Sequence, residues 1–485
     1  MTRLAPPLRF AAWLFRLRAA ILALALLAAL PAQAPAPASS PSPAAVSAPQ
    51  AGDLMGGVPR GVAAAQPLRL SLAQAVARGL QSNLAILLAS SQSRSARAQR
   101  LAALSQMLPH VSAQAYDLRQ KINLAALGFQ FNIPGVPKIV GPFNVADARL
   151  YLHDSLLSLS DLQQWRAARA GARAAGATAR QIRNLVVEAV RDQYQLTLAD
   201  AASLQAARAQ LATATQSWRQ ARDMENNGLV NALDVVRAQV ERANEQQRVI
   251  AADYALAQQR LRLARMIGLP EAQAFILTDR LRPPRPAPAL RPRAAIAEAW
   301  RRRPDIRAAQ LAVRAAQLGL AAARDSRVPQ FSLDANYGTI GNTFTRDHPT
   351  FLVEGSLSLP VFAGGQIRAA SAAAAQHLRR AQDRLADLRA AVAAQVRIDL
   401  LNLDSSYHQV RVAAQARALA RQELRLARDR FRAGVADNLD EIRAQQAVAQ
   451  ADQGYIAGLY QYHAARAALA TALGRLPRPA APGAP

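Results

Sequence analysis

The sequence predicts a mostly α-helical chain with a transmembrane β-barrel part, arranged as two internal repeats. Three observations carry this. Alanine-rich stretches with heptad patterning run far beyond the length of a globular helix, four segments alternate apolar and polar residues with period two, and blocks of residues recur in the same order 220 and 206 positions apart.

The composition suits such a fold. The 485 residues are 51% hydrophobic but only 5% aromatic, with alanine supplying much of the excess, which fits long helices packed through small side chains better than globular cores. A net charge of +27 raises the question of nucleic acid. The basic residues are nearly all arginine, scattered along alanine-rich helices without interleaved aromatics, so solvated helix faces are expected and no nucleic-acid partner. The absence of cysteine excludes disulfides, thiolate metal sites and a lipidated N-terminal cysteine. His110, His153, His348, His377, His408 and His463 show no ligand spacing and no nucleophile motif accompanies them; neither an enzyme nor a cofactor or metal is expected.

At the N-terminus, Arg3, Arg9, Arg16 and Arg18 precede an apolar run from Ala19 to Leu30 and small residues at Ala32 and Ala34, the pattern of a cleaved secretory signal over residues 1–34. Residues 35–67, rich in Pro, Ala, Ser and Gly, are expected to be a disordered lead-in. Beyond the signal no segment is long and apolar enough for a spanning helix, so a membrane part has to be made of strands.

The duplication sets the domain plan. Ile86, Pro109, Ser112 and Ala115 recur as Ile306, Pro329, Ser332 and Ala335, and Ala221-Arg222-Asp223, Gly228, Leu233-Asp234 and Arg237-Ala238-Gln239 recur as Ala427-Arg428-Asp429, Gly434, Leu439-Asp440 and Arg443-Ala444-Gln445. Chance alanine matches explain nothing about the second block. The repeats are placed at 68–280 and 293–475, joined by a proline-rich linker at 281–292 and followed by a disordered tail at 476–485.

In the second repeat a helix is expected from Arg293 to Arg327, ending before Pro329. A strand then sets Phe331, Leu333, Ala335 and Tyr337 against Ser332, Asp334 and Asn336, and after a turn-rich stretch with Gly338, Gly341, Asn342 and Pro349 a second strand runs through Phe351, Val353, Leu357 and Leu359. The first repeat offers weaker strands from Pro109 to Arg119 and from Ala148 to Leu159, with a connection, Lys121 to Ala146, about 20 residues longer than its counterpart. Four strands cannot close a barrel, and open edges in lipid leave backbone groups unpaired, so chains must share one. Three chains give a 12-stranded barrel wide enough for a lumen.

Each hairpin leads into a very long helix, about Leu162 to Asn226 and Gln366 to Ala433, and returning helices begin near Leu233 and Leu439. Leu385, Leu388, Val392, Val396, Leu400, Leu403, Tyr407 and Val410 form one coiled-coil seam, and Val236, Val240, Ala243, Gln247, Ile250, Tyr254, Ala257 and Leu261 another.

The strand-to-helix passage Leu357-Ser358-Leu359-Pro360-Val361-Phe362-Ala363-Gly364-Gly365-Gln366, the Gly228-Leu229-Val230 run before Leu233-Asp234-Val235, and Arg430-Phe431 before Gly434 and Leu439-Asp440 resemble the TolC family of outer-membrane efflux proteins, over essentially all of the mature chain. The resemblance implies a homotrimer in the cell outer membrane with a long periplasmic coiled-coil tunnel. It implies a passive exit duct in a tripartite efflux system, contacting outer-membrane lipid, a periplasmic adaptor and an inner-membrane pump. By the same resemblance Gly228, Leu229, Gly434 and Val435 are the adaptor-contact tips, and Asp234 and Asp440 line the pore constriction, with Arg443 standing one turn on where the family pattern has a second aspartate. Gly228 and Gly434 also suit plain helix-to-helix turns, and Asn231 to Asp234 and Asp437 to Asp440 have the N-cap to N3 spacing of a helix start. A type I protein-secretion duct and a periplasmic structural coiled-coil protein are the alternative readings.

Overall fold

The computed structural model describes residues 51–123, 139–286, 290–433, 435 and 437–475. The expected signal, residues 35–50 of the lead-in, the tail, Gly434 and residues 124–138 of the first strand connection lie outside the described residues. In chain order the elements are α1 (Ala51–Met55), β1 (Leu68–Leu70), α2 (Leu72–Ser82), α3 (Leu84–Ser105), β2 (His110–Asn123), β3 (Ile139–Leu157), α4 (Leu159–Asn226), α5 (Ala232–Met266), β4 (Phe275–Leu277), α6 (Pro292–Arg302), α7 (Pro304–Asp325), β5 (Gln330–Thr343), β6 (Arg346–Ser358), α8 (Gln366–Arg432) and α9 (Asn438–Ala472).

The two long helices hold 68 and 67 residues, about 100 Å each at 1.5 Å per residue. Their returning partners hold 35 residues each. Helices α5, α4, α9 and α8 lie side by side in that order, and α3, α4, α7 and α8 continue the layer toward the strands. Three apolar cores hold it together. Val186, Val190 and Tyr194 of α4 pack with Leu263, Met266 and Ile267 near the end of α5 and with Leu70 and Phe275 of the short strands. Val392, Val396, Leu403 and Val410 of α8 pack with Ile306 of α7 and with Leu459, Tyr462 and Leu469 of α9. Toward the tips, Ala420 and Leu424 meet Ala444 and Val448. The seam read from Leu385 to Val410 is thus the α8 side of a closed intramolecular packing.

The four longer strands form one antiparallel sheet in the order β2-β3-β5-β6. No helix packs broadly on either of its faces among the described residues. The strands are longer than the sequence pattern indicates: β2 runs to Asn123 and β3 begins at Ile139, so much of the expected long connection is ladder. The second hairpin turns at Phe344-Thr345, and the expected turn residues Gly338, Gly341 and Pro349 lie inside β5 and β6. Gly338 and Gly341 sit where the neighbouring strand comes too close for a side chain: an added Cβ would lie 2.3 Å from the Ala148 carbonyl oxygen and 2.1 Å from that of Arg346. Pro349 lies on β6, an edge strand, where a missing N–H need not cost a ladder bond.

Other expectations also change. The single helix expected from Arg293 to Arg327 is two, broken at Arg303, which is extended (φ −67, ψ 127) because the ring of Pro304 disfavours the helical region for its predecessor. A matching break at Asn83 separates α2 from α3. There the buried amide donates to the Leu54 carbonyl at 2.8 Å and its oxygen accepts from the Ala85 N–H at 3.0 Å. Within the expected lead-in, residues 51–55 form α1, whose Leu54 packs on the first core. The parallel pair β1 and β4, Leu68↔Phe275 to Leu70↔Leu277, is an addition. The proline-rich linker is strapped down: the Tyr462 hydroxyl donates to the Arg285 carbonyl at 2.6 Å, and His463 Nε2 lies 3.0 Å from the Arg282 carbonyl oxygen.

Candidate functional site

Both helical hairpins end in short tips. At the first, Asn227 follows α4, the Gly228 N–H donates to the Glu225 carbonyl (2.8 Å) and the Leu229 N–H to the Met224 carbonyl (2.8 Å). These bonds satisfy the last free carbonyls of the helix and require a left-handed residue, which Gly228 supplies with φ +73. Nothing lies within 4 Å of where its Cβ would be, so the backbone and not crowding selects glycine. At the second tip the Val435 N–H donates to the Arg430 carbonyl at 3.0 Å. Leu229 and Val435 are each 70% exposed. Two apolar side chains therefore project from the tips, where water gives no reason for them.

The charged residues expected at the constriction separate into two kinds. Asp440 and Arg443 are exposed, one turn apart on the first turns of α9. Asp234 is buried. Its carboxylate lies 3.5 Å from Arg237, its N–H is capped by the Asn231 side chain at 3.1 Å, and its carbonyl accepts from the Asn438 amide at 2.8 Å. Asp437, not Asp440, caps α9 by accepting from the Leu439 N–H at 3.1 Å.

Above the tips, buried polar knots join α4, α8 and α9. Glu441 accepts from Ser217 (2.6 Å), Gln445 (2.9 Å) and Arg428 (3.2 Å), and Asp452 is held by Arg417 and by Arg421 at 3.2 Å. Sequence reasoning missed these contacts. The signal available was that Glu441, Gln445 and Asp452 interrupt the apolar periodicity of α9.

Higher still, Glu188, Asp192, Asn402, Ser406 and Tyr460 line a groove of about 600 Å3 between α4, α8 and α9. Burial pushes the Glu188 carboxyl up to about 7, with Asp399 and Asp192 adding to the effect and the Thr471 hydroxyl and Arg303 opposing it. Burial also raises Asp399, whose Oδ1 accepts from Gln395 at 2.7 Å while Oδ2 has no hydrogen-bond partner among the described residues.

The layer is open at both sides. On α5, the seam from Leu233 through Val236, Val240, Ile250, Tyr254 and Leu261 is exposed along its length. On α8 a second stripe, Ile398, Leu401, Val412, Leu419 and Leu426, recurs at steps of three, eleven and seven, and is equally exposed. The sheet is open in the same sense. Its edges β2 and β6 are unpaired among the described residues. One face carries the rows Val111/Leu152/Ala335/Val353 and Ala113/Leu150/Tyr337/Phe351, with Val111 68%, Val353 64% and Phe351 76% exposed.

The family model described as outer membrane efflux protein matches residues 295–475. Over those residues the chain is similar to the outer membrane efflux proteins. Two curated relatives from Pseudomonas putida, the probable efflux pump outer membrane protein TtgC and the antibiotic efflux pump outer membrane protein ArpC, are each 26% identical over 300 residues. The match spans 56% of this chain and 56% of either relative. Among solved structures, the outer-membrane channel OprN superposes with a TM-score of 0.71 at 22% identity, covering 83% of this chain and 89% of OprN. The Neisseria gonorrhoeae MtrE outer membrane channel gives 0.70 at 18% identity, covering 86% and 94%. At these identities the likeness is one of fold, a mostly helical architecture like that of those channels.

Proposed function

We propose that this chain is the outer-membrane channel of a tripartite efflux system, a passive exit duct extending into the periplasm. A periplasmic adaptor links it to an inner-membrane pump that drives export. The observation that carries the reading is the match between the open sides of the molecule. The four-helix layer ends in exposed heptad stripes on α5 and α8, and the four-stranded sheet ends in bare edges at β2 and β6. A second copy set alongside pairs α5 with α8 and β2 with β6, and repetition of that step closes a ring. Three copies give a 12-stranded barrel with a lumen, whereas two give an eight-stranded one filled by side chains. The apolar sheet face then meets lipid, and the near-equal lengths of the paired helices support two repeats at 68–280 and 293–475.

In this reading Asp440 and Arg443 stand at the periplasmic entrance as a ring of mixed charge, with Asp234 behind them fixing the α5 start. Gly228, Leu229, Gly434 and Val435 present the adaptor contact. An uncovered apolar sheet face has no use in a wholly periplasmic coiled-coil protein.

Cross-linking tests the arrangement. The chain has no cysteine, so Val240→Cys with Leu426→Cys, at similar distances from the tips on the two open sides, places a unique pair. Oxidation in membranes is expected to give a covalent species of three chains. A mass of one chain in mild detergent, with no cross-link between chains, refutes the reading.

A further inference from the structure

One row of the sheet carries four ionisable residues. His110 pairs with His153, His153 with Asp334 and Asp334 with Glu354, one residue from each strand. Directly opposed residues in an antiparallel sheet point to the same face. The next row, Val111, Leu152, Ala335 and Val353, belongs to the apolar face, so the ionisable row lies on the other one. It sits close to the helical end of the sheet: His110 opens β2, and Asp334 is the fifth residue of β5. His153 Nδ1 and Asp334 Oδ1 are 2.7 Å apart, while Glu354 on the edge strand is exposed and has no ion-pair partner among the described residues.

We propose that His110, His153, Asp334 and Glu354 form a selectivity-determining charge belt on the lumenal face of the barrel. The proposal rests on the ring described above. Each chain sets two carboxylates beside two imidazoles, and three chains place three such oblique rows around the lumen, since barrel strands are tilted. Neutral imidazoles leave a net negative belt that favours cations, and protonated ones cancel it.

The surrounding groups on the same face leave that balance to the row. Toward the helices lie Ser332 and Ser356, with hydroxyls 2.8 Å apart. On the other side come Ser112, Tyr151 and Asn336. Further along, Asp147 holds Arg149 at 2.7 Å with the Tyr116 hydroxyl 3.4 Å away, a pair of opposite charges, and His348 lies at that level on β6. Asp154 belongs to the opposite face. At the tips Asp440 and Arg443 offset one another.

The test is single-channel recording of the full-length mature protein in planar bilayers, reading the reversal potential under a potassium chloride gradient at pH 8 and pH 5. The wild-type channel is expected to prefer cations several-fold at pH 8 and to lose most of that preference at pH 5. His110→Asn with His153→Asn should keep the preference at pH 5. Asp334→Asn with Glu354→Gln should lose it at pH 8. Glu354→Gln alone, at a residue with no ion-pair partner among the described residues, should lower it without disturbing the His153 pair. Conducting channels whose selectivity ignores all three variants overturn the belt while leaving the barrel standing. A monomer with no conductance overturns the barrel, and the belt with it.

Discussion

Glu188 gives the clearest quantitative expectation. Its carboxyl is raised from 4.5 to about 7, so the folded state prefers it neutral, and the stability held below pH 4.5 is lost as pH rises through about 7. A shift of that size corresponds to about 3 kcal/mol per chain, at roughly 1.4 kcal/mol per unit. The side chain is partly solvated at the groove, which reduces the figure to about 2 kcal/mol. Glu188→Gln keeps the shape and an oxygen for the Thr471 hydroxyl while removing the charge. The variant is expected to be more stable than wild type by about 2 kcal/mol at pH 8 and equal to it near pH 4.5. Urea unfolding followed by helical circular dichroism at several pH values, in one detergent, measures the difference. A variant no more stable at pH 8, or one whose gain persists at pH 4.5, refutes the argument from burial.

Three further expectations follow from the tips and the knots. Glu441→Ala strands the Arg428, Ser217 and Gln445 donors at a buried position and should cost about 3 kcal/mol in the same unfolding assay, while an exposed control, Glu423→Ala, should move it by under about 0.5 kcal/mol. Leu229→Asp with Val435→Asp should leave circular dichroism and oligomer mass unchanged but cut export in intact cells at least tenfold, because only the projecting tip surface changes. Asp440→Asn should move ion selectivity toward anions at a stability cost below about 1 kcal/mol, since the Asp437 side chain makes the cap and Asp440 adds only its interaction with the helix dipole.

Much of this fold can be read from the chain because its signals are long. A helix of 68 residues repeats its pattern many times, so α4 and α8 are found to within a few residues, and the tips follow from Gly228 and from the Leu233 and Leu439 starts. Short elements escape for the converse reason: β1 and β4, at three residues each, exist through pairing across about 200 positions. Glycine misleads in the sheet. At Gly338 and Gly341 it marks close strand approach, which local sequence cannot tell from a turn. The Leu385 to Val410 seam and the seam on α5 look alike on paper, yet the first closes within the chain and the second stays bare. Only the arrangement of helices distinguishes them. The same arrangement shows Asp234 buried and Asp440 exposed, though the two occupy equivalent places in the sequence pattern.

The composition of the two kinds of seam bears on how the proposed tube yields under load. Within the chain, α8 offers Val392, Val396, Leu403 and Val410 to its neighbours, with two buried polar residues, Asp399 and Ser406, between them. The bare α8 stripe is interrupted at the intervening heptad positions by Ser405, His408, Gln415 and Gln422. Wet positions bury less apolar surface and hold a register less firmly. Between copies, then, four polar breaks against two leave the wall more loosely stitched than it is within each copy. Widening of the periplasmic end should proceed by sliding along three soft lines while each chain moves as a stiff stave.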